Sequence, residues 1–124
     1  MNDFTIITNN PDAAALYPDA SRYLDAGVLH IFTALRDAIH KGARLLSHPL
    51  SGSIKPNDSP YKSVVLLECY GQALDCKSLH IIEDALAVLK KLPEKQHNYS
   101  EAILEDYRVI DLDLLNSALM SRKH

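Results

Sequence analysis

Fifteen residues, His48 to Lys62, concentrate the side chains of this chain that suit ligand chemistry: His48, Ser51, Ser53, Lys55, Asn57, Asp58, Tyr61 and Lys62. Hydroxyls, amides and two lysines suit an anion such as a carboxylate or phosphate. Three prolines (Pro49, Pro56, Pro60) lower the entropy cost of fixing the segment, and Gly52 lets the backbone approach a ligand. Structureless loops of more than ~12–15 residues are uncommon in compact domains and tend to be functional or disordered. The segment is not a P-loop, because Gly52-Ser53-Ile54-Lys55 lacks the first glycine and no helix is expected after it. Each residue also has a plain structural reading. Lys55 and Lys62 suit a solvated surface, Ser51, Ser53 and Ser59 are turn formers, and His48 can brace the turn at Pro49.

His40 is expected at the end of a helix, where the helix dipole favours a cation. It stands eight residues before His48, and the two would converge if the chain turns tightly between them. No third ligand is placed by sequence for a metal, so none is assigned, and no cofactor is expected. His30 and His80 read as structural histidines, and Cys69 and Cys76 as small buried hydrophobes. Their spacing matches neither a redox pair nor a zinc knuckle. Gly-x-Ser-x-Gly, His-Glu-x-x-His and Gly-x-Gly-x-x-Gly are all missing from the sequence.

The elements that must position these groups alternate. Phe4 to Thr8 reads as a strand stopped by Asn9-Asn10-Pro11, followed by an Ala-rich stretch, Asp12 to Ala20, with room for a helical turn. Ser21 to Leu24 reads as a second short strand. Val28, Phe32, Leu35 and Ile39 make one helical face, with Asp25 as its cap and Gly42 just past its end. Arg44 to Ser47 is a third strand, and Ser63 to Cys69, with Val64-Val65-Leu66-Leu67, a buried central one. Ser78 is expected to cap a helix over Leu79 to Leu92. Asn98 with Glu101 suggests a capping box for a short helix to Asp106. Tyr107 to Ile110 is expected as a last strand, and Asp111 as the cap of a final helix carrying Leu112, Leu115 and Leu119.

Strands alternating with amphipathic helices predict an α/β fold: a single three-layer domain over residues 1–124, with a mostly parallel sheet flanked by helices. Ligands of such sheets collect at the carboxyl ends of strands. Two polar clusters, Thr8-Asn9-Asn10 and Ser47-His48-Pro49, end expected strands and would share one edge if those strands are parallel.

A length of 124 residues suits one core, and 47% apolar with 23% charged residues argues against wholesale disorder. Scattered charge with a net −3 excludes a general nucleic-acid binder, and the sequence has no polybasic helix for a membrane surface. Met1-Asn2-Asp3 lacks the basic start of an export signal, so a cytoplasmic location is expected.

The segments Arg36-Asp37-Ala38-Ile39-His40-Lys41-Gly42, Leu45 to Asn57 and Ser59-Pro60-Tyr61-Lys62-Ser63, with the opening Ile6-Ile7-Thr8-Asn9-Asn10-Pro11, resemble the GrdX family. The resemblance spans nearly the whole chain and is most specific from Leu46 to Ser63; Ala43 departs from it, standing where a larger polar residue is expected. Members are small proteins associated with bacterial glycine, sarcosine and betaine reductase systems. The resemblance implies a context, selenium-dependent amino-acid reduction, rather than an activity, and carries over no catalytic residue. The leading expectation is an accessory protein that binds a reductase component or a small anionic metabolite. Its candidate ligand-binding residues are Asn9, Asn10, His40, His48, Ser51, Ser53, Lys55, Tyr61 and Lys62. The alternatives are a small enzyme with His48 as general acid/base and Lys62 or Tyr61 steadying negative charge, and a structural homo-oligomer formed through the wide apolar stripe of Leu79 to Leu92.

Overall fold

The computed structural model describes residues 4–51, 58–92 and 98–121. Strands β1 (Phe4–Thr8), β2 (Ser21–Tyr23), β3 (Arg44–Leu45) and β4 (Ser63–Leu67) form one sheet in the order β2-β1-β4-β3. Helices α1 (Pro11–Leu16), α2 (Val28–His40), α3 (Cys76–Lys91) and α4 (Glu101–Ser121) complete the described chain. The α/β class holds, but the sheet is mixed rather than mostly parallel. Only β1 and β2 pair parallel, while β4 runs antiparallel to both β1 and β3. The sequence expectation failed here because alternating elements imply right-handed crossovers only when a helix joins adjacent strands. The 45–63 connection instead returns the chain beside β3 in the opposite sense.

Alternation along the central pair divides the core. Ile7, Val64 and Leu66 enter a cluster with Phe32, Leu35 and Ile39 of α2 and Ile82, Ala85 and Leu86 of α3. Ile6 and Val65, which face each other across β1 and β4, join Ala13 of α1 and Leu115 and Leu119 of α4. Apolar residues at successive positions 64, 65 and 66 are therefore all buried, as a strand covered on both faces requires.

Several local expectations change. Pro11 occupies the first helical position, where its missing N–H is not needed, and Asn10 caps α1 by accepting from the Asp12 amide at 3.0 Å. Gly27 rather than Asp25 stands at the N-cap of α2. Asp75 caps α3 by accepting from Ser78 N, so that helix begins at Cys76, three residues earlier than expected. Cys76 is consequently exposed and Cys69 half-buried, rather than both buried.

The expected strand Tyr107–Ile110 does not form. The whole of Glu101–Ser121 is helical, with the Ser100 hydroxyl accepting from Ile103 N at its start in place of an Asn98 cap. Asp111, Leu115 and Leu119 recur at four-residue intervals and are the buried residues of α4. Anchoring that face overrides the β preference of Val109 and Ile110, which remain exposed.

Gly42 closes the α2–β3 turn with φ of +115°, and a Cβ there would meet the Cys69 carbonyl oxygen at 2.4 Å. Both the backbone conformation and the close approach demand glycine. Gly42→Ala is expected to destabilise the protein by about 2 kcal/mol or more. Urea unfolding should show a lower midpoint with an unchanged slope.

Candidate functional site

Because β1 and β3 are each antiparallel to β4, they point the same way, although they are not neighbours. The ends of both strands therefore lie at the edge where β4 begins. Thr8 pairs with Ser63 across β1 and β4, and on the other side Leu46 N and Ser47 N both donate to Val65 O, ending the β3 ladder. Ser47 then turns its hydroxyl oxygen to accept from Val65 N at 2.9 Å. The two ends of the 48–62 loop meet at this edge.

A small cleft of about 30 Å³ opens there, lined by Ser47, His48 and Ser51 after β3, Lys62 and Ser63 at the start of β4, and Asp111 with Leu114 on α4. Such a volume holds a water or two, or the head of a small anion. Lys62 is 6% exposed and Asp111 is equally buried. Burial pushes the Asp111 carboxyl above the ordinary carboxylate range, against hydrogen bonds from Ser63 and Asn10 and the charge of Lys62. Burial likewise pulls the Lys62 ammonium below its ordinary value, with Asp111 opposing.

Beneath the cleft runs a hydrogen-bonded polar junction. The Ser63 hydroxyl donates to Asp111 Oδ2 at 2.6 Å, so the Thr8 hydroxyl, 2.7 Å away, must be the donor to Ser63. Thr8 Oγ1 in turn accepts from Asn10 N at 2.9 Å. The Asn10 side-chain amide donates to Asp111 Oδ2 and to the Arg108 carbonyl, each at 3.0 Å. Asn9 donates to the carbonyls of Ala26 and Pro60 and accepts from Lys62 N, all at 2.8 Å. Neither asparagine lines the cleft; Asn9 binds Lys62 and Asn10 binds Asp111, and both spend their side-chain groups on the protein itself.

His48 is exposed at the cleft rim, and its Nδ1 accepts from Leu50 N at 3.1 Å. In the neutral ring that bond places the proton on Nε2, making that nitrogen a donor rather than a base. Tyr61 is half-buried beside the cleft, not in its lining. Its hydroxyl accepts from Arg108 Nη1 at 3.0 Å, and the guanidinium carbon lies 5.7 Å from its ring centre, a cation–π contact. Arg108 also reaches Glu101 at 2.6 Å and Asp12 at 3.6 Å.

His40 does not join His48. It is exposed at the end of α2, where Gly71 N donates to Lys41 O and Gly42 abuts Cys69, beyond the far end of β4. The five residues of β4, at ~3.4 Å each, separate the two edges. His30 and His80 are exposed, the latter 3.2 Å from Asp84 one turn on. Ser53 and Lys55 lie outside the described residues. Among the described residues, no group of three or more His, Cys, Asp or Glu is placed to hold a metal ion, and no helix is long and apolar enough to cross a membrane.

Asp111 and Ser63 were missed as cleft-lining residues, whereas Thr8 was singled out only as part of the polar cluster that ends β1. Asp111 carried a signal, since its register matches the apolar Leu115 and Leu119, but only in a helix that does not break at Ile110.

A model of a family described as GrdX-like protein matches residues 5–120. The chain belongs to the GrdX-like family. Comparison with curated proteins and with solved structures returns no match. The family match reaches every described element of this GrdX-like protein and covers both sides of the cleft.

Two outcomes follow from the junction. Asn10→Ala removes two donors to buried acceptors and the α1 cap, and should cost about 2–4 kcal/mol in chemical denaturation. Lys62→Met probes the ammonium. Between the lowered folded-state value of Lys62 and 10.5, the unfolded chain binds a proton that the folded chain does not. The stability of the native sequence relative to Lys62→Met should therefore rise with pH through that window, measured by urea melts from neutral to alkaline pH.

Proposed function

We propose that this GrdX-like protein is a non-catalytic accessory protein of glycine, sarcosine or betaine reductase systems, and that it holds a small anion of carboxylate or phosphate class at the strand-end cleft. The observation that carries this reading is the convergence of His48 and Ser51 with Lys62 across a cleft sized for one head group. Lys62 offers a desolvated cation, and His48 Nε2 and the Ser47 and Ser51 hydroxyls offer donors. An incoming anion would act with Asp111 in favouring the Lys62 ammonium against burial. The family supports the reductase context.

The enzymatic reading, with His48 as general acid/base, gains less from the geometry. The Leu50 amide on Nδ1 leaves the neutral ring without an acceptor facing the cleft. The cleft formed by the described residues is also small for a substrate larger than one such head group.

Thermal unfolding in the presence of glycine, acetate or phosphate tests the proposal. An anion at ~100 times its dissociation constant stabilises by ~2.7 kcal/mol, several degrees for a domain of this size. At least one of the three should raise the melting temperature of the native protein, and His48→Ala should reduce the rise. Equal shifts in both proteins, or none with any of the three, would count against the cleft as an anion site.

A further inference from the structure

Helix α4 buries one side through Asp111, Leu115 and Leu119, yet its outer side is also apolar. Ile103, Ile110 and Leu114, separated by seven and four residues, fall on one line and are 44%, 54% and 38% exposed. Val109 and Met120, eleven residues apart, form a second exposed line. Asp106 and Asp113, one heptad apart and both exposed, form an acidic ridge between the two. The only Lys or Arg within Glu101–Ser121 is Arg108, which is bound to Glu101, Asp12 and Tyr61 on the inner side.

Exposed apolar residues aligned along one face of a surface helix are a feature of interaction sites. Its charge selects the occupant. A second copy would set the Asp106–Asp113 ridge against the same ridge, with no basic residue on this face among the described residues to relieve the repulsion. A partner helix carrying lysines or arginines beside its apolar stripe would meet both features at once. We infer that the outer face of α4 docks a basic amphipathic helix of another protein through Ile103, Ile110 and Leu114, with Asp106 and Asp113 pairing its cations. This deepens the accessory reading above and rests on it. Leu114 lines the cleft as well, so the docked helix would lie along the rim of the anion site.

The probe is a fluorescently labelled synthetic helix of leucine and lysine, about five turns long, titrated with the full chain and followed by anisotropy. A matched leucine–glutamate helix serves as its counterpart. The native chain should bind the lysine helix saturably and the glutamate helix at least tenfold more weakly. Ile110→Asp should weaken binding at least tenfold, and Ile110→Ser should also weaken it, both with unchanged far-ultraviolet circular dichroism. Asp106→Lys with Asp113→Lys should reverse the preference, whereas Glu83→Lys with Asp84→Lys on α3 should leave it in place.

The inference is overturned by no binding, by binding indifferent to Ile110, or by equal loss from the α3 charge reversal. It is also overturned if sedimentation shows a dimer of the native chain that Ile110→Asp dissociates, since a second copy would then own the face. Measuring the glycine, acetate and phosphate shifts on Ile110→Asp separates the two ideas. A shift retained there, with no helix bound by the native chain, leaves the anion site standing and removes the docking surface.

Discussion

The Asp111 carboxylate is the group on which the rest of this structure turns. It is a buried acid in the middle of the longest helix, and it is tolerable there because Ser63 and Asn10 both donate to it and Lys62 lies close enough to oppose the cost of burial. Those partners come from β4, from the residue that starts α1, and from the end of the polar loop. One side chain therefore ties α4 to the edge of the sheet and fixes how the helix meets β1 and β4. The directions of the hydrogen bonds are determined as well. Asn10 N donates to Thr8, Thr8 to Ser63, and Ser63 to Asp111, so no hydroxyl in the chain is left to choose.

That junction forms the floor of the cleft, and its charge balance explains what the cleft suits. Burial pushes Lys62 and Asp111 toward their neutral forms, while the charge of each opposes the shift of the other. His48 and Ser51, delivered by the turn after β3, add donors from the opposite rim, and the sheet brings them there because β1 and β3 share a direction. The outer face of α4 begins where the cleft ends, at Leu114, so the proposed anion site and the proposed docking face would share one helix.

Much of the frame was legible in the sequence. The four-three-four spacing from Val28 to Ile39 specified α2, and the run Val64-Val65-Leu66 specified a strand covered on both sides. The shared edge of the two polar clusters was also inferable, since it depends only on β1 and β3 pointing the same way. The orientation of β4 was not, because the composition of a buried strand is the same whichever way it runs. The break expected at Tyr107 arose from β-branched Val109 and Ile110, a local preference that burial of Leu115 and Leu119 overrides. At the cleft, His48 and Lys62 stand out in the sequence as the ends of a polar loop. Asp111 reads instead as a helix cap before an apolar run, because its match to the register of Leu115 and Leu119 shows only in a helix that continues through Ile110, and its contacts with Ser63 and Asn10 are tertiary.

The most direct test of the account is the titration of the Lys62 side chain, followed by nuclear magnetic resonance of its Cε and Nζ, without and with saturating acetate. The account predicts an ammonium that loses its proton below the ordinary lysine value of 10.5 and moves back up when the anion binds beside it. A Lys62 that titrates at its ordinary value and ignores acetate would show a solvated surface lysine, and the cleft would lose its cation.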